Sequence, residues 1–155
     1  MKIDEVNHHY IANGKGNGSY RYIGRAKTAD KWPLLVLTKY RMPCLLYKQN
    51  IGKQIYGDVL CTCDKLRDHL DYMESLPGFF KYDRYEIPVL LDDGTVHMAW
   101  TYFISDFKQE LLELDTIDNY NSEQQGYVKD CEFDISMDYN PSDDIAGRLN
   151  NISGL

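Results

Sequence analysis

Glu74, in the stretch LDYMESLPGFFKYDR (70–84), is the side chain best placed for chemistry. It closes a helical pattern in which Leu66, Leu70 and Met73 recur at i, i+4 and i+7, and Pro77-Gly78 breaks the chain just beyond it. Stepping roughly 100° per residue from Leu66 puts Leu70 at roughly +40°, Met73 at roughly −20° and Glu74 at roughly +80°. That is the shoulder of the apolar stripe. Partial burial disfavours a carboxylate there, and so does the negative end of the helix dipole. Both raise its pKa toward neutrality, where a carboxyl can take a proton and return it. The plain alternative is a solvated glutamate at a fraying helix end.

Other reactive residue types carry weaker patterns. GKGNGS (14–19) lacks the spacing of a phosphate loop and no apolar strand precedes it, so it reads as a flexible turn. Cys61 and Cys63 are two apart in a strand pattern and share a face. With no second pair beside them, core packing is expected rather than a metal site. His8-His9 likewise has no partner ligands at suitable spacing, and no metal or cofactor is expected.

The elements that must position Glu74 follow from periodicity. SYRYIGRAKT (19–28) alternates as a strand, with Tyr20 and Tyr22 on one face and Arg21, Ile23 and Arg25 on the other. WPLLVL and PCLLY are short apolar strands, and QIYGDVLCTC (54–63) alternates again before the helix, for which Asp64 is the expected N-cap. YEIPVLL-DDG-TVHMAWTYFI (85–104) predicts a hairpin turning at Asp93-Gly94, with Val96, Met98, Trp100, Tyr102 and Ile104 on one face. Pro88 has no amide donor, which predicts an edge strand or a bulge for the first arm. SDFKQELLEL predicts a short second helix. Strands interrupted by a helix give an α+β class with a curled mixed sheet or barrel.

The chain of 155 residues is long enough for one domain with a real core. Its net charge of −7 argues against nucleic acid or an anionic membrane as partner. The amino terminus MKIDEVNHHY has no apolar run and no stretch approaches the roughly 20 residues of a span. A cytoplasmic protein with reduced cysteines is the expectation. Residues 1–127 read as the domain and 128–155 as an acidic tail.

Together these residues resemble the γ-glutamyl cyclotransferase superfamily, and its γ-glutamylamine cyclotransferase branch most of all. The strand Gly57-Asp58-Val59-Leu60, the helix end Leu70-Asp71-x-x-Glu74-x-x-Pro77, and Tyr82-Asp83-Arg84 after about two inserted residues follow in the family's order. YRMPCLL matches its x-Ile-Pro-x-Leu-Leu, Trp100-Thr-Tyr102 its Trp/Phe-x-Tyr strand, and NYNSE its Tyr-Asp-Ser-Glu. The resemblance covers residues 7 to 127 and implies a mixed β-barrel with one main and one short second helix. It also implies a cofactor-free reaction. The α-amino group of a small γ-glutamyl compound attacks its own γ-carbonyl, releasing 5-oxoproline and a free amine. Glu74 would be the catalytic residue, with Pro43, Tyr82 and Tyr102 binding substrate.

The family's first strand and its Tyr-Gly-(Ser/Thr)-Leu loop, whose amides hold the substrate carboxylate, have no counterpart in MKIDEVNHHY. The chain therefore reads as a variant with lost or severely weakened activity, acting by binding or regulation. The alternative is an active γ-glutamylamine cyclotransferase. A missing strand would also expose sheet edges, which predicts a homodimer, by strand exchange for example. An unrelated β-rich binding domain would instead leave Glu74 solvent-exposed.

Overall fold

The computed structural model describes residues 2–5, 8–11, 18–75, 81–128 and 139–147. The bulk of the GKGNGS loop, the Pro77-Gly78 break, Cys131 and most of the acidic tail lie outside the described residues. In chain order the elements are α1 (His8–Ile11), β1 (Tyr20–Thr28), β2 (Leu34–Leu37), β3 (Met42–Leu45), β4 (Tyr56–Thr62), α2 (Asp64–Glu74), β5 (Tyr82–Leu91) and β6 (Val96–Ile104). A 3-10 turn (Gln109–Glu113), α3 (Ser122–Gln125) and α4 (Ser142–Ile145) follow. The class is α+β. Four strands pair antiparallel in the order β4-β1-β5-β6, and β2-β3 form a separate ribbon. A parallel bridge from Leu46 to Ile104 ties the ribbon to β6.

The β5-β6 hairpin turns where expected. Leu91 O accepts from Gly94 N at 2.9 Å, and Gly94 takes φ 86°, a left-handed conformation that costs glycine little. Asp93 Oδ1 braces the turn by accepting from the Thr95 amide at 2.9 Å and its hydroxyl at 2.6 Å. β5 is nevertheless an interior strand, contrary to the edge or bulge that Pro88 suggested. Pro88 O accepts from Ala29 N at 2.9 Å, so its donor-less nitrogen also faces the β1 side, and the β1 ladder has already ended at Thr28. The Ala29 carbonyl, which the missing N–H would have met, accepts from Gln54 Nε2 at 2.9 Å instead. The bulge falls in β1 instead, between Tyr22 and Gly24, and interrupts the alternation expected there.

Two clusters form the core. Leu35, Cys44, Leu46, Ile104 and Phe107 pack between the ribbon and β6, and Ala26, Trp32, Ile87, Val89 and Phe103 pack on the other face of the hairpin. Ile145 of α4 is fully buried in the first cluster, a contribution that the acidic composition of 128–155 conceals. The expected second helix is the 3-10 turn Gln109–Glu113, with Leu111 buried. Asp64 is not the cap of α2. Cys63 holds that position without a side-chain cap bond, and Asp64 pairs with Arg67 at 2.9 Å.

Cys61 and Cys63 are both exposed, which corrects the core-packing expectation: they lie at the end of β4, an edge strand of the sheet. Cys44 is fully enclosed, and burial pushes its thiol up to about 12. A thiol reagent is therefore expected to modify Cys61 and Cys63 in the native protein and Cys44 only on unfolding. Peptide mass mapping reads this directly, and native-state labelling of Cys44 at comparable rate would contradict the packing. No described helix is long and apolar enough to cross a membrane, and no group of three metal-binding side chains converges among the described residues.

Candidate active site

α2 carries Glu74 in its last turn because the stripe headed by buried Leu66 holds the helix against the sheet. Glu74 is half-buried, neither in the core nor free in solvent. Burial pushes its carboxyl up to about 7. The helical-wheel shoulder position is the position found, and the exposed glutamate of an unrelated binding domain is not.

Opposite the helix end, the β5-β6 register sets Tyr82 across from Ile104 and Arg84 across from Tyr102, all on one face of the hairpin. Tyr82 has an enclosed hydroxyl that hydrogen-bonds the Cys44 thiol, and Cys44 Sγ lies 3.7 Å from the carbonyl oxygen of Met42. Burial, then Cys44 and Glu74, hold the Tyr82 phenol well above its ordinary pKa. The Tyr102 hydroxyl donates to Asp71 Oδ1 at 2.6 Å. Burial first, then Asp71, raise that phenol as well, with Arg84 opposing and Glu74 adding to the rise. Both tyrosines thus sit within electrostatic reach of Glu74. Pro43 is placed differently. It pairs with Val36 in β3, between Met42 and Cys44, so its ring faces away from the side on which Cys44 meets Tyr82.

Asp71 and Arg84 complete the cluster, and sequence reasoning gave neither a role. Arg84 Nη1 lies 3.2 Å from Asp71 Oδ2, and its guanidinium lies 4.8 Å over the Trp100 ring. The available signal was spacing, since Asp71 and Glu74 are at i and i+3 on one helix. Residues 2–5 are tied to β4 and to the segment that leads into α3. Ile3 N donates to Asp58 Oδ2 at 2.8 Å, Lys2 Nζ to Tyr120 O at 2.9 Å, and Ser122 N to Glu5 Oε2 at 3.0 Å. Tyr120, from the NYNSE motif, is buried and donates to Arg41 O at 2.8 Å.

The raised Glu74 pKa has a consequence for stability. A carboxyl near 7 in the folded state and near 4.5 when unfolded binds its proton more tightly in the native chain. Its stabilising contribution is complete below about 4.5 and is lost as pH rises through about 7. The size is at most roughly 3 kcal/mol before solvent screening reduces it. Glu74→Gln, neutral at every pH, is expected to raise the unfolding midpoint at pH 8 and leave it unchanged near pH 4. Thermal melts at the two pH values check this, and equal shifts at both would contradict a buried, titrating Glu74.

The chain is similar to several known proteins. The family model described as gamma-glutamyl cyclotransferase, AIG2-like, matches residues 1–122. A Drosophila melanogaster protein named as a putative gamma-glutamylcyclotransferase is 33% identical over 122 residues, spanning 79% of this chain and 76% of its own. The human gamma-glutamylaminecyclotransferase is 24% identical over 132 residues, covering 79% of this chain and 86% of its own. The crystal structure of a mouse AIG2-like protein superimposes with a TM-score of 0.70 at 24% identity, over 79% of this chain and 83% of that one.

Proposed function

The chain belongs to the AIG2-like γ-glutamyl cyclotransferase family, and from that premise we propose that it acts on γ-glutamylamines with Glu74 as the proton carrier. The observation that carries this reading is a half-buried carboxyl at the end of α2, pushed up to about 7 by burial and within electrostatic reach of Tyr82 and Tyr102. In the reaction the α-amino nitrogen of the substrate bonds to its own γ-carbonyl carbon, and the bond from that carbon to the leaving amine breaks. The proton lost by the attacking amine passes to Glu74 and from there to the leaving nitrogen. The products are 5-oxoproline and a free amine, with no net change at Glu74. A group with a pKa near neutrality does both transfers with little energetic mismatch.

A second reading is severely weakened turnover with a binding or regulatory role. Residues 2–5, a turn tied to Asp58 and Tyr120, do not themselves supply the amides of a Tyr-Gly-(Ser/Thr)-Leu loop. Losing one oxyanion donor typically costs about 10²- to 10³-fold in rate. The test is 5-oxoproline release from γ-glutamyl-ε-lysine by the purified chain. Glu74-dependent turnover supports the enzyme, and binding without turnover supports the weakened variant.

A further inference from the structure

Asp71, on α2 three residues before Glu74, is linked to Arg84 and through it to Trp100, and the three take no part in the proton transfer just described. A tyrosine hydroxyl has one proton to donate and two lone pairs with which to accept. At 2.6 Å the Tyr102 proton is committed to Asp71 Oδ1. Toward anything else, the Tyr102 oxygen can therefore only accept. Arg84 takes the second Asp71 oxygen at 3.2 Å. Trp100, 4.8 Å beneath the guanidinium, holds Arg84 in that place. The outcome is an acceptor-only oxygen within electrostatic reach of the proton carrier, and the group that a γ-glutamyl substrate must bring there is its α-ammonium, which has only donors.

We infer that Asp71 and Arg84 are positioning residues that hold Tyr102 as the hydrogen-bond acceptor for the α-amino group of a γ-glutamyl substrate. The inference rests on the reading of the site given above, and it gives the site selectivity for a free α-amine. A merely structural Asp71–Tyr102 tie between helix and sheet would alter stability without discriminating between ligands.

Binding to the full-length Glu74→Gln chain separates these possibilities without turnover. The two probes are γ-glutamyl-ε-lysine and its glutaryl analogue, which lacks only the α-amino group, titrated by calorimetry. Tyr102→Phe is expected to weaken the first about tenfold and leave the second unchanged. Asp71→Asn should weaken binding with the same selectivity and add nothing further on the Tyr102→Phe background, as residues acting through one contact do. Equal losses for both probes, additive losses, or binding of neither probe would overturn the inference. If selective loss persists in a chain that shows no Glu74-dependent turnover, the catalytic reading fails and this one stands. Turnover accompanied by unselective loss gives the reverse.

Discussion

Glu74→Gln is expected to slow 5-oxoproline release from γ-glutamyl-ε-lysine by about 10²- to 10⁴-fold, the usual contribution of a positioned acid–base group. Glutamine keeps the shape and the partial burial but neither takes a proton nor returns one. The parent rate should also rise with pH through about 7, because Glu74 must be ionised to accept the proton of the attacking amine. In the mutant that limb of the profile should vanish. A coupled assay for the released amine, run between pH 5.5 and 8.5 on both chains, reads the two effects together. A mutant with the parental rate and the parental pH profile would remove Glu74 from the chemistry.

Phe103→Ala is expected to destabilise the fold by about 3–5 kcal/mol, the range for emptying a fully packed aromatic site. Phe103 has no exposed surface, and its ring centroid lies 4.6 Å from Trp32, 5.3 Å from Tyr47 and 6.1 Å from Tyr85. Trp32 and Tyr47 stack on each other, as do Tyr47 and Tyr85, so the neighbours hold one another in place and cannot all close on the cavity. Against a total stability of about 5–15 kcal/mol this is a large fraction. Urea denaturation should show a lower midpoint with an unchanged slope. A loss below about 1 kcal/mol would mean that the aromatic cluster collapses freely, contrary to its stacked geometry.

These two residues differ in how visible they were in the sequence. Glu74 could be read from a single helix, because its angle to Leu66, Leu70 and Met73 depends only on helical geometry. The hairpin was equally legible, since Asp93-Gly94 and the flanking alternation lie within twenty residues of one another. The shared face of Val96, Met98, Trp100, Tyr102 and Ile104 was legible as a face, but its covering was not. Ile104 is fully enclosed, whereas Val96, Met98 and Trp100 are more than half exposed. Alternation gives which side chains point together, and only the neighbouring elements decide what covers them.

The same distinction accounts for the corrections. Pro88 suggested an edge because the residue alone cannot reveal that β1 stops at Thr28. Cys61 and Cys63 looked like core residues because their spacing says nothing about which strand lies at the edge of the sheet. Ile145 sits in an acidic stretch, yet it fills a gap beside Phe107 and Leu111 that exists only once the chain has folded.

By itself, the sequence determined the strands, the main helix, the turn of the hairpin, the place of Glu74 on the helical wheel and the motif order that marks the family, because each depends on local periodicity or on residues close in the chain. Tertiary structure alone decided that Asp71 would meet Tyr102 and Arg84, and that Tyr82 would meet Cys44. The first two join α2 to β6 and β5 across 31 and 13 positions, and the third joins β3 to β5 across 38. No local pattern encodes such a pairing, since it arises when burial of the Leu66 stripe sets α2 across one face of the hairpin.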